Sequence, residues 1–229
     1  CRGPARRRPF SIFSWNGSTW MHERDLTQPG GPEADARFGD AVDLWQDPAS
    51  GEYRLIVGAP GARVSSFGGP VASGRAFIGD PNDWTDVAAI DTGTAGFPVI
   101  PKPDDDFGVA VAIDADVAVV GAPNQDADEF DEDNSGRAYV ADLSSGGLWV
   151  IDEILWDDFT SGRRLGTSVA VRDGRVAVGA PGDVIVSEGG SEGTVFGGSV
   201  RVAEQIDGVW TEIQRLQPPD EPLSAGLAF

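Results

Sequence analysis

His22 is the only histidine in the 229 residues, and Cys1 is the only cysteine. A Ser-His-Asp triad would have to use His22 as its base, and that residue sits in the run Trp20-Met21-His22-Glu23, which reads as an outlying strand. Cys/His catalysis would have to join it to the first residue of the chain. One thiol closes no disulfide within the chain and builds neither a cysteine zinc site nor a redox pair. Cys1 itself reads either as the lipid-bearing first residue of a mature lipoprotein or as a boundary of the sequence. Carboxylates are the remaining reagents, with 37 Asp and Glu against 17 Lys and Arg. No spacing among them singles out an acid/base pair of the kind glycosidases use. The expectation is a protein that is not an enzyme.

Acid does concentrate between Asn124 and Gly136, where Asp126, Asp128, Asp131 and Asp133 recur at short intervals. Calcium prefers roughly six to eight oxygen ligands, and alternate carboxylates on a loop can supply them. Asp104 and Asp106, just before Phe107, are the further donors that could approach this loop in space. Two readings stay open: a calcium site of these six aspartates, or a solvated acidic run. No other cofactor is expected.

The formal charge is -20, so a nucleic-acid backbone or an anionic membrane surface would repel most of the protein. Basic charge clusters only at Arg2, Arg6, Arg7 and Arg8, and residues 1–9 read as a disordered lead-in. Lys102 is the only lysine, an acid-rich balance that suits an extracellular or salt-tolerant surface. No apolar run approaches the ~20 residues of a transmembrane helix, and the sequence does not open on a signal peptide.

The elements that must position these groups come from a repeat. Gly58-Ala59-Pro60, Gly121-Ala122-Pro123 and Gly179-Ala180-Pro181 recur 63 and 58 residues apart. Phe38-Gly39, Phe107-Gly108 and Leu165-Gly166 precede them, and β-prone runs beginning at Gly74, Gly136 and Gly198 follow. Trp20, Trp84, Trp149 and Trp210 fall 64, 65 and 61 residues apart. Short β-branched runs such as Val109 to Ile113 and Val117 to Val120 flank tight turns, and Asp173-Gly174 is a strong type I′ hairpin signal. Each unit therefore reads as four antiparallel strands, and no helical period of useful length appears.

These marks resemble the FG-GAP repeat family, the blade unit also found in the heads of integrin α subunits, and the resemblance covers about residues 10 to 229. It implies an all-β fold, a β-propeller of four-stranded blades, with the Phe-Gly strand innermost and the tryptophan strand outermost. Leu165 departs from the pattern in volume only. The calcium loop of integrin-type blades does not carry over, because its ligand positions in the first unit hold Gln46, Pro48, Ser50 and Arg54.

The expected divisions are a part-blade at 10–36, blades at 37–90, 106–155 and 164–216, and the start of another at 217–229. Closed propellers need about four to eight blades, so the chain reads as a segment of a longer protein, or as one of two copies that complete a ring. The long connections Gly61 to Ser73, Asn124 to Ser135 and Gly182 to Gly197 fall on one face, with Asp91 to Asp106 beside them. The resemblance makes that face the one that engages ligands. The expected function is an extracellular or cell-surface adhesion module for a protein or glycan ligand. The alternatives are a structural stalk of a surface protein and an accessory domain of a larger secreted hydrolase.

Overall fold

The computed structural model describes residues 10–66, 68–93, 100–126, 134–155, 162–186 and 194–218, with 152–155, 184–186 and 194–196 described by backbone alone. The described residues are all-β. Strands β1 (Phe10–Trp15) and β2 (Trp20–Leu26) form a two-stranded hairpin. A four-stranded sheet follows, from β3 (Val42–Gln46), β4 (Tyr53–Ala59), β5 (Arg75–Asp80) and β6 (Asp83–Ile90), in that spatial order. The second sheet contains β7 (Ala110–Asp114), β8 (Val117–Ala122), β9 (Arg137–Leu143) and β10 (Trp149–Leu155), again in chain order. In the third unit β11 (Ser168–Arg172) and β12 (Arg175–Ala180) pair with each other, and the sheet is completed by β15 (Ser199–Ile206) and β16 (Val209–Leu216). A two-stranded ribbon, β13 (Val184–Val186) and β14 (Thr194–Phe196), rises from its long connection. The sequence reads that stretch as loop only; its runs Val-Ile-Val and Thr-Val-Phe are β-branched and aromatic enough to pair. No described helix is long and apolar enough to cross a membrane.

Every pairing within these sheets is antiparallel, and the register repeats. Val42 faces Val57, Val111 faces Val120, and Val169 faces Val178. Asp173 and Gly174 both take positive φ, 49° and 73°, as a type I′ turn requires. Asp207-Gly208 repeats the device between β15 and β16, with φ of 52° and 83°. The four repeat tryptophans Trp20, Trp84, Trp149 and Trp210 lie on β2, β6, β10 and β16, the last strand of the first hairpin and of each four-stranded sheet. Three residues beyond Trp20, Trp149 and Trp210, the residues Glu23, Asp152 and Ile213 are skipped by the register as β-bulges. A bulge at a fixed place adds the same local twist to β2, β10 and β16, whereas the register irregularity of β6 falls between its pairings with Ile78 and Asp80.

The sheets stack face to face. Asp43 and Trp45 of β3 turn toward the second sheet, where the Asp43 carboxylate accepts the Ile113 N–H at 2.8 Å. Ile56, Ile78 and Ile90 of the first sheet share one core with Phe107, Val111 and Tyr139 of the second. Val119 and Val140 of the second share another with Leu165, Val176 and Val178 of the third. The β1–β2 hairpin places Leu26, Phe10 and Ile12 on Leu55 and Val57, covering the outer half of the first sheet's other face. Val42 and Leu44 on β3 stay exposed there.

The joint between sheets is made of backbone. A Cβ built on Gly58 would lie 1.9 Å from the carbonyl oxygen of Gly108, and one on Gly121 would lie 2.0 Å from that of Gly166. Gly74 and Gly136 meet the carbonyls of Phe107 and Leu165 in the same way, at 2.1 and 2.3 Å. Phe107 N–H donates to Ser73 O at 2.9 Å and Leu165 N–H to Ser135 O at 3.0 Å, locking the contact in register. Glycine occupies these positions because another sheet's backbone fills the space a side chain would take.

Candidate functional site

Two kinds of connection meet at one end of the sheets, the segment leading into each Phe-Gly and the loop that follows each Gly-Ala-Pro. Their backbones repeat closely. Asp35 and Arg37 before Phe38 have φ of 64° and 56°, Asp104 and Asp106 before Phe107 have 65° and 57°, and Gly162 and Arg164 before Leu165 have 71° and 57°. These left-handed corners are unusual for residues other than glycine, although Asp tolerates them better than most. The chain between the corners hydrogen-bonds the loop after Gly-Ala-Pro: Gly61 N–H donates to Ala36 O at 3.1 Å, and Gly182 N–H to Arg163 O at 3.0 Å.

The corners of the first and second units frame a hollow of about 610 Å³, lined by Asp35, Arg37, Arg63, Asp104 and Asp106 among smaller residues. Arg37 is ion-paired to Asp106 across the junction and lies 3.6 Å from Asp40. Asn124 donates to the other oxygen of Asp106 at 2.6 Å. Arg63 is held by its main chain, whose N–H donates to the Glu33 carboxylate at 3.0 Å, and its side chain is exposed at the rim. The hollow thus offers two exposed guanidiniums, Arg37 paired with Asp106 and Arg63 at the rim, beside carboxylates at a wide mouth, a surface suited to hydrogen-bonding polar ligands of either sign.

The six aspartates proposed for calcium are distributed as follows. Asp104 and Asp106 line the hollow. Asp126 is largely buried with its carboxylate 2.8 Å from the Lys102 ammonium, and it also accepts the Asn134 N–H at 3.1 Å. Asp128, Asp131 and Asp133 lie outside the described residues. The segment before Phe107 does meet the loop after Gly121-Ala122-Pro123, as the strand order demands, but the contacts are with Lys102 and Asn124. Among the described residues no three His, Cys, Asp or Glu side chains converge as a metal would need. Asp106 and Asp126 each already face a cation, so calcium there would have to displace Arg37 and Lys102. In the first hairpin, Arg54 lies 5.2 Å over the Trp45 ring and pairs with Asp116 at 2.7 Å, a position closed to metal ligation.

Directly beneath this face lies a layer that sequence reasoning missed. The residues two before Phe38, Phe107 and Leu165 are Ala36, Asp105 and Arg163, all at most 3% exposed. Those four beyond the glycine of Gly-Ala-Pro are Ala62, Gln125 and Asp183, again at most 2% exposed. Opposite them on the third strand stand Phe77, Tyr139 and Arg201. The first unit fills the layer with apolar groups, Ala36 and Ala62 packing on Phe77. In the second, the Tyr139 hydroxyl donates to the Gln125 side-chain oxygen, and Asp105 accepts the Lys102 N–H at 2.7 Å. Burial, aided by the neighbouring Asp126 charge, pushes the Asp105 carboxyl up to about 7, against the pull of that N–H, Lys102 and Arg137.

The third unit is ionic. Asp183 accepts the Ser199 hydroxyl, pairs with Arg215, and lies 3.3 Å from the Arg163 guanidinium. Burial works to raise its carboxyl, but Ser199, Arg215 and Arg163 together hold it below its ordinary value. Arg163 is itself lowered, first by burial and then by nearby Arg201, which pairs at 3.6 Å with Glu212. The signal was available: aligning the units on Gly-Ala-Pro puts Asp183 and Gln125 in the column of Ala62.

A family model described as FG-GAP repeat matches residues 101–141, which hold Asp104 to Asp106, the Phe107-Gly108 pair and the second Gly-Ala-Pro. No curated protein matches the chain.

Proposed function

We propose that the chain is a non-catalytic binding module of an extracellular or cell-surface protein, its sheets arranged as propeller blades that present their long-loop face to a protein or glycan ligand. The observation that carries this reading is the hollow between the first and second units. It is framed by Asp35, Arg37, Arg63, Asp104 and Asp106 and held open by left-handed corners on a stack of hydrogen-bonded sheets. A rigid scaffold that carries variable loops is the usual construction of a recognition surface. The FG-GAP match across the second unit supports the same reading.

The test is a glycan array combined with a pull-down, run on the full chain and on a variant carrying Arg63→Ala and Asp104→Asn. Capture by the native chain that falls at least tenfold in the variant is the expected result. Equal capture by both proteins places the ligand elsewhere, and reproducible absence of any partner defeats the reading and favours a structural stalk.

A further inference from the structure

The third sheet carries the same glycines as the first two, at positions where no other sheet's backbone fills the space beside them, although Gly198 also takes a positive φ of 69°. Gly179 corresponds to Gly58 and Gly121, yet the atoms nearest a Cβ there all belong to Ser168 of its own sheet, the hydroxyl at 2.3 Å and the carbonyl oxygen at 3.7 Å. Gly198 corresponds to Gly74 and Gly136, and the atoms nearest a Cβ on it belong to Ala180 and Pro181 of its own unit. Gly197 O is the counterpart of Ser73 O and Ser135 O, and among the described residues it accepts no backbone hydrogen bond.

The side chains agree. Ala76 and Ile90 of the first sheet are paired across strands β5 and β6 and are 0% and 3% exposed beneath Phe107. Their counterparts Val200 and Leu216 are paired in the same register but are 38% and 46% exposed. Together with Gly179 and Gly198 they line an open groove of about 410 Å³.

We infer that this face is a docking surface for one further Phe-Gly hairpin of the same repeat type. The occupant follows from continuity with two interfaces already present in the molecule. Its phenylalanine covers Val200 and Leu216, its N–H donates to Gly197 O, and the carbonyls of its phenylalanine and glycine fill the spaces over Gly198 and Gly179. A second copy docking through its own Phe38-Gly39 is disfavoured, because the β1–β2 hairpin already occupies the outer half of that face: Phe10 and Leu26 stand where Val200 and Leu216 would need to lie. This inference concerns a different surface from the ligand-binding reading and does not depend on it.

The probe is a fluorescent synthetic peptide of residues 104–123, carrying Phe107-Gly108, titrated into the full chain by anisotropy. Saturable binding is expected, with at least a tenfold loss for Gly179→Val and a similar loss for Leu216→Asp. Gly179 does not need positive φ, but a Cβ there displaces the Ser168 hydroxyl, so Gly179→Val is compared with the native chain by urea midpoint. Leu216→Asp, at an exposed position, should keep the native midpoint and show that the lost binding is not lost folding. A peptide with Phe107→Asp should not bind. No binding to the native chain, or equal binding to Gly179→Val, overturns the inference. So does a concentration-dependent dimer that Gly179→Val abolishes, which would assign the face to a second copy. Binding that appears only after residues 219–229 are removed overturns it too, by giving the face to the chain's own segment.

Discussion

The first and third units bury the same three positions beneath the same loops, one with Ala36, Ala62 and Phe77 and the other with Arg163, Asp183 and Arg201. Their backbones match at the left-handed corners, at the strand register and at the hydrogen bonds that tie corner to loop. The geometry is therefore fixed by the main chain and its glycines, and the side-chain chemistry of the layer is free to vary so long as each unit is satisfied internally. An apolar layer gains by burial alone. An ionic one must offset the desolvation of every charge with a partner.

The largest effect should come from the glycine joint that ties the second unit to the third. Gly121→Val places side-chain atoms where the Gly166 carbonyl sits, and with backbone on both sides neither can yield. A loss of more than about 4 kcal/mol is expected, read from the urea midpoint or from failure to accumulate folded protein. A change under ~1 kcal/mol would show that the sheets are not joined as described.

Next comes the ionic layer. Asp183→Ala leaves Arg163 buried without its carboxylate and should cost about 3–5 kcal/mol. Replacing the set, with Arg163→Ala, Asp183→Ala and Arg201→Phe, copies the first unit and should recover most of that loss or end about 1–4 kcal/mol more stable than the native chain. If the triple variant is no better than the single one, the units are not interchangeable at this layer. The carboxyl of Asp183 is lowered in the fold, so its contribution is present above the ordinary carboxylate range and is lost as pH falls through the folded value. Acid unfolding followed by circular dichroism should shift to higher pH in a variant that weakens the pair, Arg215→Gln.

Asp105 has the opposite sign. Its carboxyl is raised to about 7, so the native state holds a proton that the unfolded chain has given up, and stability declines as pH rises from about 4 to about 7. Asp105→Asn should flatten that slope and gain roughly 2 kcal/mol at pH 7.5, because a shift of this size is worth at most about 4 kcal/mol and the buried amide keeps part of the cost of burying a polar group. Parallel slopes for the two proteins across this window would remove Asp105 from the account.

Calcium should have the smallest effect. The ion has to displace Lys102 from Asp126, so at constant ionic strength it should raise the melting temperature only slightly, and more in Lys102→Ala, where the competitor is gone. Changing Asp126, Asp128, Asp131 and Asp133 to Asn should abolish the calorimetric heat in both backgrounds; equal heats with and without the four aspartates would reduce the run to a solvated one.

Strand order within the three four-stranded sheets and the places of the four repeat tryptophans were legible because alternating β-branched runs and Gly-rich turns are local signals. The marks did not reveal why their glycines exist: Gly58 and Gly121 look like turn residues in the sequence, and their partner carbonyls are 50 and 45 residues away in the chain. The buried layer was missed for a related reason. Arg163 and Asp105 look like surface residues beside their charged neighbours, and only the third dimension shows that alternate positions between two left-handed corners point inward. For the acidic run, the sequence showed that Asp104 to Asp106 would approach it. It could not show that Lys102, two residues upstream of Asp104, would take Asp126 first.

A joint of glycine against carbonyl oxygen recognises no particular amino acid. A side-chain interlock has to be redesigned whenever one half changes, but two sheets that meet through main chain can be shuffled in the gene and still fit. Duplicating a unit copies the donor and the acceptor halves of the joint together, so the new copy mates with its neighbours at once. The buried layer and the loops above it are then free to drift, and apolar, neutral and ionic versions of one position within a single chain are what that drift leaves behind.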